Sequence, residues 1–191
     1  DTLTLSCRSE QGTCFVSEPS LWAAEADPKP NFLVILIDTL RHDAIQPQVA
    51  PFLHQLKSTS HNFTHTISAG NMTTPSTNAL LSCQSPSNLG NLAFAYSMEE
   101  ADKEAFYQKK QASFPALFNR AGWKTAMIGN ISVISDIQAR GIDHGFSEQI
   151  ARERDAYDTP HIAHDAMEWL HANQSQPFFL YLHFHAPHAP Y

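Results

Sequence analysis

The stretch Asn31–Asp43, NFLVILIDTLRHD, decides the fold. Its apolar run from Phe32 to Ile37 is shorter than an ordinary helix and too continuous for a half-exposed strand. It therefore predicts a buried parallel strand. Asp38 follows directly, so the strand carries a carboxylate to its carboxyl end, where ligands usually bind in open α/β sheets. The alternative is that Asp38 only caps the next helix.

Composition sets the broad class. The chain has 191 residues, of which 42% are hydrophobic, and this is enough to bury a core in one domain. A formal charge of −7, without any cluster of Lys or Arg, argues against nucleic acid as a partner. A metal ion or a helix N-terminus would then be needed to compensate the negative charge of an anionic substrate.

The first 29 residues lack periodicity and predict a leader packed on the surface. Cys7 and Cys14 lie close together in it and favour a small disulfide loop formed in an oxidising compartment, with two free thiols as the alternative. The chain begins at Asp1 without a signal-peptide pattern, so we expect a processed protein or an excised segment. No apolar run approaches the roughly 18 residues that span a bilayer.

Further along the chain, helical and strand patterns alternate, which is typical of a mainly parallel sheet. Residues 84–97 and 131–157 look irregular. The predicted helices cover residues 51–58, 75–82, 99–110, 113–121 and 158–172, and the predicted strands cover residues 63–67, 124–129 and 178–184.

One predicted helix begins beside a threonine pair. Pro75 suits the first helical position and Thr74 suits the N-cap, so Thr73 should lie just outside the helix N-terminus. Free N–H groups and the positive end of the helix dipole favour an anion there, such as a phosphate or sulfate oxygen. A plain capping sequence is the alternative.

Polar residues end three predicted strands: Asp38, Asn130, and the pair His185 and His188. Right-handed crossovers should bring these strand ends to one edge of the sheet. All of these side chains can bind a metal or an oxyanion. A second candidate metal face lies on the helix at 158–172, although charged residues opposite an apolar stripe usually just face water; its members are His161, His164, Asp165 and Glu168.

The motifs, taken together and in order, resemble those of the alkaline phosphatase/sulfatase superfamily. The sequence IDTLRHD is similar to the D-T-L-R-x-D metal-binding signature, and TTPS is similar to the T-x-P-S nucleophile motif. GWKTA, GIDHGF and the end PHAPY resemble G-Y-x-T-A, G-F-D-x-G-F and P-H-x-P-Y. These motifs occupy Ile37–Asp43, Thr73–Ser76, Gly122–Ala126, Gly141–Phe146 and Pro187–Tyr191.

The resemblance implies an α/β fold, alkaline phosphatase-like, with a mainly parallel sheet sandwiched by helices and incomplete at the C-terminus. Residues 30–191 would be the N-terminal part of a sulfatase-like catalytic domain. Asp38 would be a metal ligand, and Thr73 would be the catalytic nucleophile that also touches the metal. His188 would be the second catalytic residue, contacting the transferred or leaving group.

Three residues are expected to bind substrate. His185 would assist His188, while Thr77 and Asn130 stand where sulfatases carry a cationic Arg and Lys. The superfamily's second metal-binding Asp-His pair would lie downstream of Tyr191, so these 191 residues alone are expected to bind metal weakly and to be inactive. Arg41 and Asp43 are expected to order their loop.

The resemblance also implies the chemistry. Formylglycine sulfatases need Cys or Ser as the nucleophile, so Thr73 favours a metal-dependent hydrolase or transferase of phosphate esters through a covalent phospho-threonine. Relatives with threonine use zinc or manganese; calcium and magnesium are alternative ions. A sulfate-ester hydrolase and an inactive sulfatase-like binding module are the two alternative functions.

The expected substrate is a small-molecule, lipid or glycan ester, and the expected location is periplasmic or extracellular in a bacterium. A membrane tether could lie outside this chain. Glycosylation sequons occur at Asn62, Asn71, Asn130 and Asn173, but glycans on Asn71 and Asn130 would crowd the predicted site. This favours a bacterial periplasm over a eukaryotic secretory route.

Overall fold

A computed structural model describes residues 29–90, 100–109, 112–130, 141–152 and 159–188. The predicted leader, except Lys29, and both of its cysteines lie outside these ranges. The strands are β1 (Phe32–Ile37), β2 (Lys124–Asn130), β3 (Glu148–Arg152) and β4 (Phe178–Phe184). The helices are α1 (Pro51–Thr59), α2 (Thr73–Ser82), α3 (Pro86–Leu89), α4 (Glu100–Lys109), α5 (Phe114–Arg120) and α6 (Thr159–Ala172), with a 3₁₀ turn at His42–Ala44.

The four strands form one parallel sheet in the order β1-β4-β2-β3. β4, the last strand in the chain, lies between β1 and β2, with Ile37 level with Phe184. Because all strands run in the same direction, the polar residues after β1 and β4 emerge at one edge of the sheet. The backbone N–H of Asp38 donates to the carbonyl of Phe184 at 2.9 Å and extends the ladder to that edge.

Helices cover both faces of the sheet, and this confirms the predicted α/β class. On one face, α6 packs Ile162, Ala166 and Trp169 against the centre of β2 and β4. On the other face, Leu81 of α2 packs against Tyr181 in a second cluster of buried side chains. Alternation along β4 sends Phe178, Leu180 and Leu182 to the first face, and Phe179, Tyr181 and His183 to the second.

The turn at Gly141–Phe146 fixes how β3 returns to the sheet. Gly145 has a φ of +92°, and a Cβ atom there would lie 2.4 Å from the backbone nitrogen of Ala116. Only glycine fits this close approach, since it has no Cβ and tolerates positive φ.

Two strand predictions were wrong and one strand was missed. β1 is not a fully buried strand, because it is an edge strand in the described sheet and α6 does not cover it; Leu33 and Ile35 are about half exposed. Residues 63–67 form no strand, and their alternating apolar residues Phe63 and Ile67 face solvent. β3 lies in a segment expected to be irregular, and the short helix α3 lies in another.

Candidate active site

Asp38 and Thr73 are brought together although 35 residues separate them. Asp38 follows β1, and Thr73 is the first residue of α2, which packs beside it. The Thr73 hydroxyl donates a hydrogen bond to Oδ2 of Asp38 at 2.9 Å. The side chain of Asp38 is 11% exposed, so this pair lies at the base of a cleft rather than on an open surface.

Helix α2 begins two residues earlier than the sequence suggested. Its N-cap is Met72, which makes no side-chain cap hydrogen bond, and Thr74 is a buried residue of the first turn, so the prediction of Thr74 as N-cap was wrong. The first intrahelical hydrogen bond of α2 runs from the N–H of Ser76 to the carbonyl of Met72, at 3.2 Å. The N–H groups of Thr73 and Thr74 therefore have no intrahelical acceptor, and Pro75 has no N–H at all.

The N–H groups of Thr73 and Thr74 lie at the positive end of the α2 dipole, and the Thr73 hydroxyl lies at the same end of the helix. Such an N-terminus stabilises an anion. Ser76 supports the loop before the helix, since its hydroxyl donates to the carbonyl of Gly70 at 2.9 Å.

A row of buried polar side chains lies behind Asp38, and the hydrogen bonds between them end at its carboxylate. Nε2 of His183 lies 3.4 Å from Oδ2 of Asp38, and Nδ1 of His183 lies 2.9 Å from the hydroxyl of Tyr181. Tyr181 in turn is hydrogen-bonded by the side chain of Thr77. His183, Tyr181 and Thr77 are each no more than 1% exposed.

These contacts decide the protonation of two groups. Burial disfavours the charged form of Asp38, but hydrogen bonds from His183 and Thr73 outweigh it and hold the pKa of this carboxyl below its usual value. Burial raises the pKa of the Tyr181 hydroxyl, against the hydrogen bond from Thr77. Asp38 is therefore a carboxylate and Tyr181 a neutral phenol at neutral pH.

Thr39, directly after Asp38, has a φ of 54° in the left-handed region. A β-branched residue there is strained by roughly 1–2 kcal/mol. Such strain persists where the surroundings fix the backbone, often beside functional groups. Here it accompanies the sharp turn that leaves the Asp38 side chain beside α2.

The cleft in front of Asp38 and Thr73 has a volume of about 720 Å³. His185 and His188 line it from the segment after β4, with their ring centroids 4.5 Å apart. Apolar residues such as Leu40 and Met72 form part of the wall. Among its described lining residues none is Lys or Arg, so these residues offer an anion no side chain that is permanently positive.

The predicted site residues divide into two groups. Asp38, Thr73, His185, His188 and Thr77 all line the cleft, although the Thr77 side chain is engaged by Tyr181. Asn130 ends β2 as a buried residue and is not among the described lining residues. Arg41 pairs with Asp43 through two hydrogen bonds on the exposed turn, as expected for a loop-ordering pair; the arginine lowers the pKa of Asp43.

The candidate metal face on α6 is a surface cluster. Ligand atoms of His164, Asp165 and Glu168 lie within 4.8 Å of one another, but His164 and Glu168 are mostly exposed. Asp165 is buried beneath them and has other interactions. The cluster lies on the helix that covers the opposite face of the sheet from α2.

His183 and Tyr181 are the residues that sequence reasoning missed. They lie within the apolar-aromatic strand pattern of β4, which we interpreted only as core. Strand alternation offered the signal: residues 181 and 183 share a face, and His183 lies two residues before His185 at the edge that Asp38 reaches.

The fold and site together define an α/β protein with a hydroxyl nucleophile candidate at a helix N-terminus and a carboxylate held against it. The family model for Sulfatase matches residues 30–191 of the chain. The chain therefore belongs to the sulfatase family of hydrolase-type enzymes, within the alkaline phosphatase/sulfatase superfamily. A comparison with curated proteins finds no match.

Proteins of this family generally use divalent metal ions. The donor set of the cleft fits such an ion, because Asp38 is an ionised carboxylate and Thr73 offers a hydroxyl oxygen 2.9 Å from it. Carboxylate oxygens suit zinc and manganese as well as the harder magnesium and calcium ions. No helix in the described part of the chain is long and apolar enough to cross a membrane.

Proposed function

We propose that this protein is a metal-dependent hydrolase or transferase of phosphate esters that works through a covalent phospho-threonine at Thr73. The observation that carries the proposal is the position of the Thr73 hydroxyl, at the first residue of α2 and hydrogen-bonded to Asp38. Nucleophile, carboxylate and two N–H groups without an intrahelical acceptor meet there in one cleft.

In the first step, the Thr73 oxygen attacks phosphorus, and the bond from phosphorus to the ester oxygen breaks. The Thr73 proton passes to solvent, so that Asp38 stays ionised, and the departing alcohol oxygen takes up a proton, for which His188 is the candidate donor. Water or a second alcohol then attacks the phospho-threonine and releases Thr73. The N–H groups of Thr73 and Thr74 stabilise the negative charge on the phosphoryl oxygens.

Threonine is a weak nucleophile at neutral pH, so its hydroxyl must be activated. A bound divalent ion would supply that activation by lowering the pKa of the hydroxyl and polarising the phosphoryl group. Asp38 and Thr73 are the residues of this chain that would hold it. Because the pKa of Asp38 is lowered, the carboxylate is better suited to hold a cation than to retain a proton.

A sulfate ester is the second candidate substrate, since the matching family is described as Sulfatase. Thr73 decides against it in our proposal, because the resemblance places Cys or Ser at this position in the formylglycine enzymes.

The test compares phosphate and sulfate esters of 4-nitrophenol as substrates of the full-length protein, with added zinc or manganese. We expect turnover of the phosphate ester, and phosphate on the Thr73 peptide after rapid acid quench and mass spectrometry. Thr73→Ala should lose several orders of magnitude in rate, as for other covalent nucleophiles. The control is Thr59→Ala on α1, which removes an exposed hydroxyl bonded to the carbonyl of Leu56 and should leave turnover unchanged.

Phosphate found on another residue, or a fully active Thr73→Ala variant, would contradict the mechanism. Turnover of the sulfate ester alone would favour the second candidate.

We also propose a location outside the bacterial cytoplasm, acting on a small-molecule, lipid or glycan ester. Two of the four sequons support a bacterial source, because Asn130 and Asn173 are only 3% and 6% exposed and would not accept a glycan in the folded chain. A third, Asn71, lines the cleft.

A further inference from the structure

We infer that His183 and Tyr181 are positioning residues that hold the Asp38 carboxylate in its productive orientation towards the nucleophile and the cation. This inference rests on the proposed function, since it concerns the same carboxylate. Neither residue touches the cleft: among the described residues that line it, Asp38 and Thr77 are the contacts of this row of buried side chains.

The direction of each hydrogen bond follows from the carboxylate end. An ionised Asp38 can only accept, so the Nε2 atom of His183 must carry a proton and donate it. In the neutral imidazole, Nδ1 is then the acceptor, and the Tyr181 hydroxyl donates to it at 2.9 Å. The Tyr181 oxygen is left to accept from Thr77. Tyr181 therefore selects the one tautomer of His183 that can support Asp38.

Both described donors to the Asp38 side chain meet the same oxygen. Thr73 lies 2.9 Å and His183 3.4 Å from Oδ2, and within the described residues no contact is given for Oδ1. Two donors on one oxygen fix the rotation of the carboxylate and leave the second oxygen available to a cation.

The two donors differ during the reaction. Thr73 gives up its proton when it attacks, so its hydrogen bond to Oδ2 is lost at that moment. His183 takes no part in that proton transfer and is completely buried, so its hydrogen bond to Oδ2 is the one that remains. A carboxylate without this support could rotate, and support of this kind typically changes metal affinity 10–100-fold.

The test uses three substitutions in the full-length protein. Tyr181→Phe keeps the ring that packs against Leu81 but removes the hydroxyl, His183→Ala removes the donor, and His183→Gln restores an N–H donor. The first readout is the ¹⁵N spectrum of the His183 ring in metal-free protein. We expect the proton on Nε2 in the wild type, and partial loss of that tautomer in Tyr181→Phe.

The second readout is the Kd for Mn²⁺, measured by titration calorimetry. We expect binding about 10–100-fold weaker in His183→Ala, about 10-fold weaker in Tyr181→Phe, and largely restored in His183→Gln. The matched control is Tyr107→Phe, which removes a hydroxyl bonded to another carboxylate, that of Asp143, and should leave the Kd unchanged.

An unprotonated Nε2 in the wild type would overturn the inference, as would a Kd that the His183 and Tyr181 variants do not change. If the two His183 variants unfold, the ¹⁵N spectrum of Tyr181→Phe decides, because that substitution keeps the buried ring in place. A wild type that binds no Mn²⁺ or Zn²⁺ would instead overturn the proposed function, and the tautomer would still show whether Tyr181 controls His183.

Discussion

Tyr181 links one buried hydroxyl to the pH dependence of stability. Burial raises its pKa in the folded chain, whereas the unfolded chain has the ordinary value near 10. The folded state therefore holds this proton more tightly, so its contribution is complete below pH 10 and is lost as the pH rises towards the folded value. We expect Tyr181 to reduce the free energy of unfolding by about 1.4 kcal/mol per pH unit above pH 10.

Urea unfolding of the wild type and Tyr181→Phe from pH 6 to pH 11 measures this contribution. The two curves should run parallel between pH 6 and pH 8, and the variant should fall less steeply above pH 10. Equal slopes above pH 10 would contradict the argument.

At the scale of residues, the sequence predicted several of the polar side chains that line the cleft. Asp38 and Thr73 could be found because each is the first polar group at the end of a recognisable element. His183 and Tyr181 could not be separated from core by composition, since an aromatic strand with one histidine also fits plain packing. Their role depends on the distance to Asp38, which tertiary structure alone sets.

At the scale of elements, the start of α2 couples stability to anion binding. The helix has no side-chain cap at its N-cap residue, Met72. A capping side chain accepts a hydrogen bond from the second or third helical N–H, and Pro75 has none, so the N–H of Thr74 is the donor that remains. The sequence suggested that Thr74 was itself the cap, because local preferences cannot show that its side chain is buried by α2 packing. The uncapped start leaves two N–H groups for the substrate.

Met72→Asn tests this coupling. Its side-chain oxygen should accept from the N–H of Thr74, raising the free energy of unfolding by about 0.5–1 kcal/mol. The same bond should weaken the binding of inorganic phosphate, because that N–H is no longer free. Urea unfolding and the thermal shift produced by phosphate measure the two effects. A gain in stability with unchanged phosphate binding would show that the N–H of Thr74 takes no part.

At the scale of the whole molecule, β1 shows where local pattern stops being informative. Its six-residue apolar run matches a central strand, yet the strand lies at an edge of the described sheet because β4, encoded 140 residues later, pairs between it and β2. The tertiary fold decides which strands become the neighbours of β1 in the sheet, and the sequence of β1 itself does not. β3 was missed for the opposite reason: its short sequence EQIAR carries two partly buried apolar residues, Ile150 and Ala151, in the core contacts.

The exposed edge of β1 predicts self-association of the 191-residue chain. Ile35 is 53% exposed, on the part of the α6 face that lies beyond the helix, and no described strand pairs with the outer edge of β1. Unprotected apolar edges pair with other chains, and charged side chains prevent this. Ile35→Lys should therefore lower the concentration-dependent light scattering, while changing the free energy of unfolding by less than about 1 kcal/mol, as expected for an exposed position.

Ile128→Lys is the matched control: Ile128 is 0% exposed in β2, so an unpaired charge there should prevent folding. A loss of several kcal/mol in Ile35→Lys would show instead that Ile35 is covered in solution, and unchanged scattering would show that association does not use this edge.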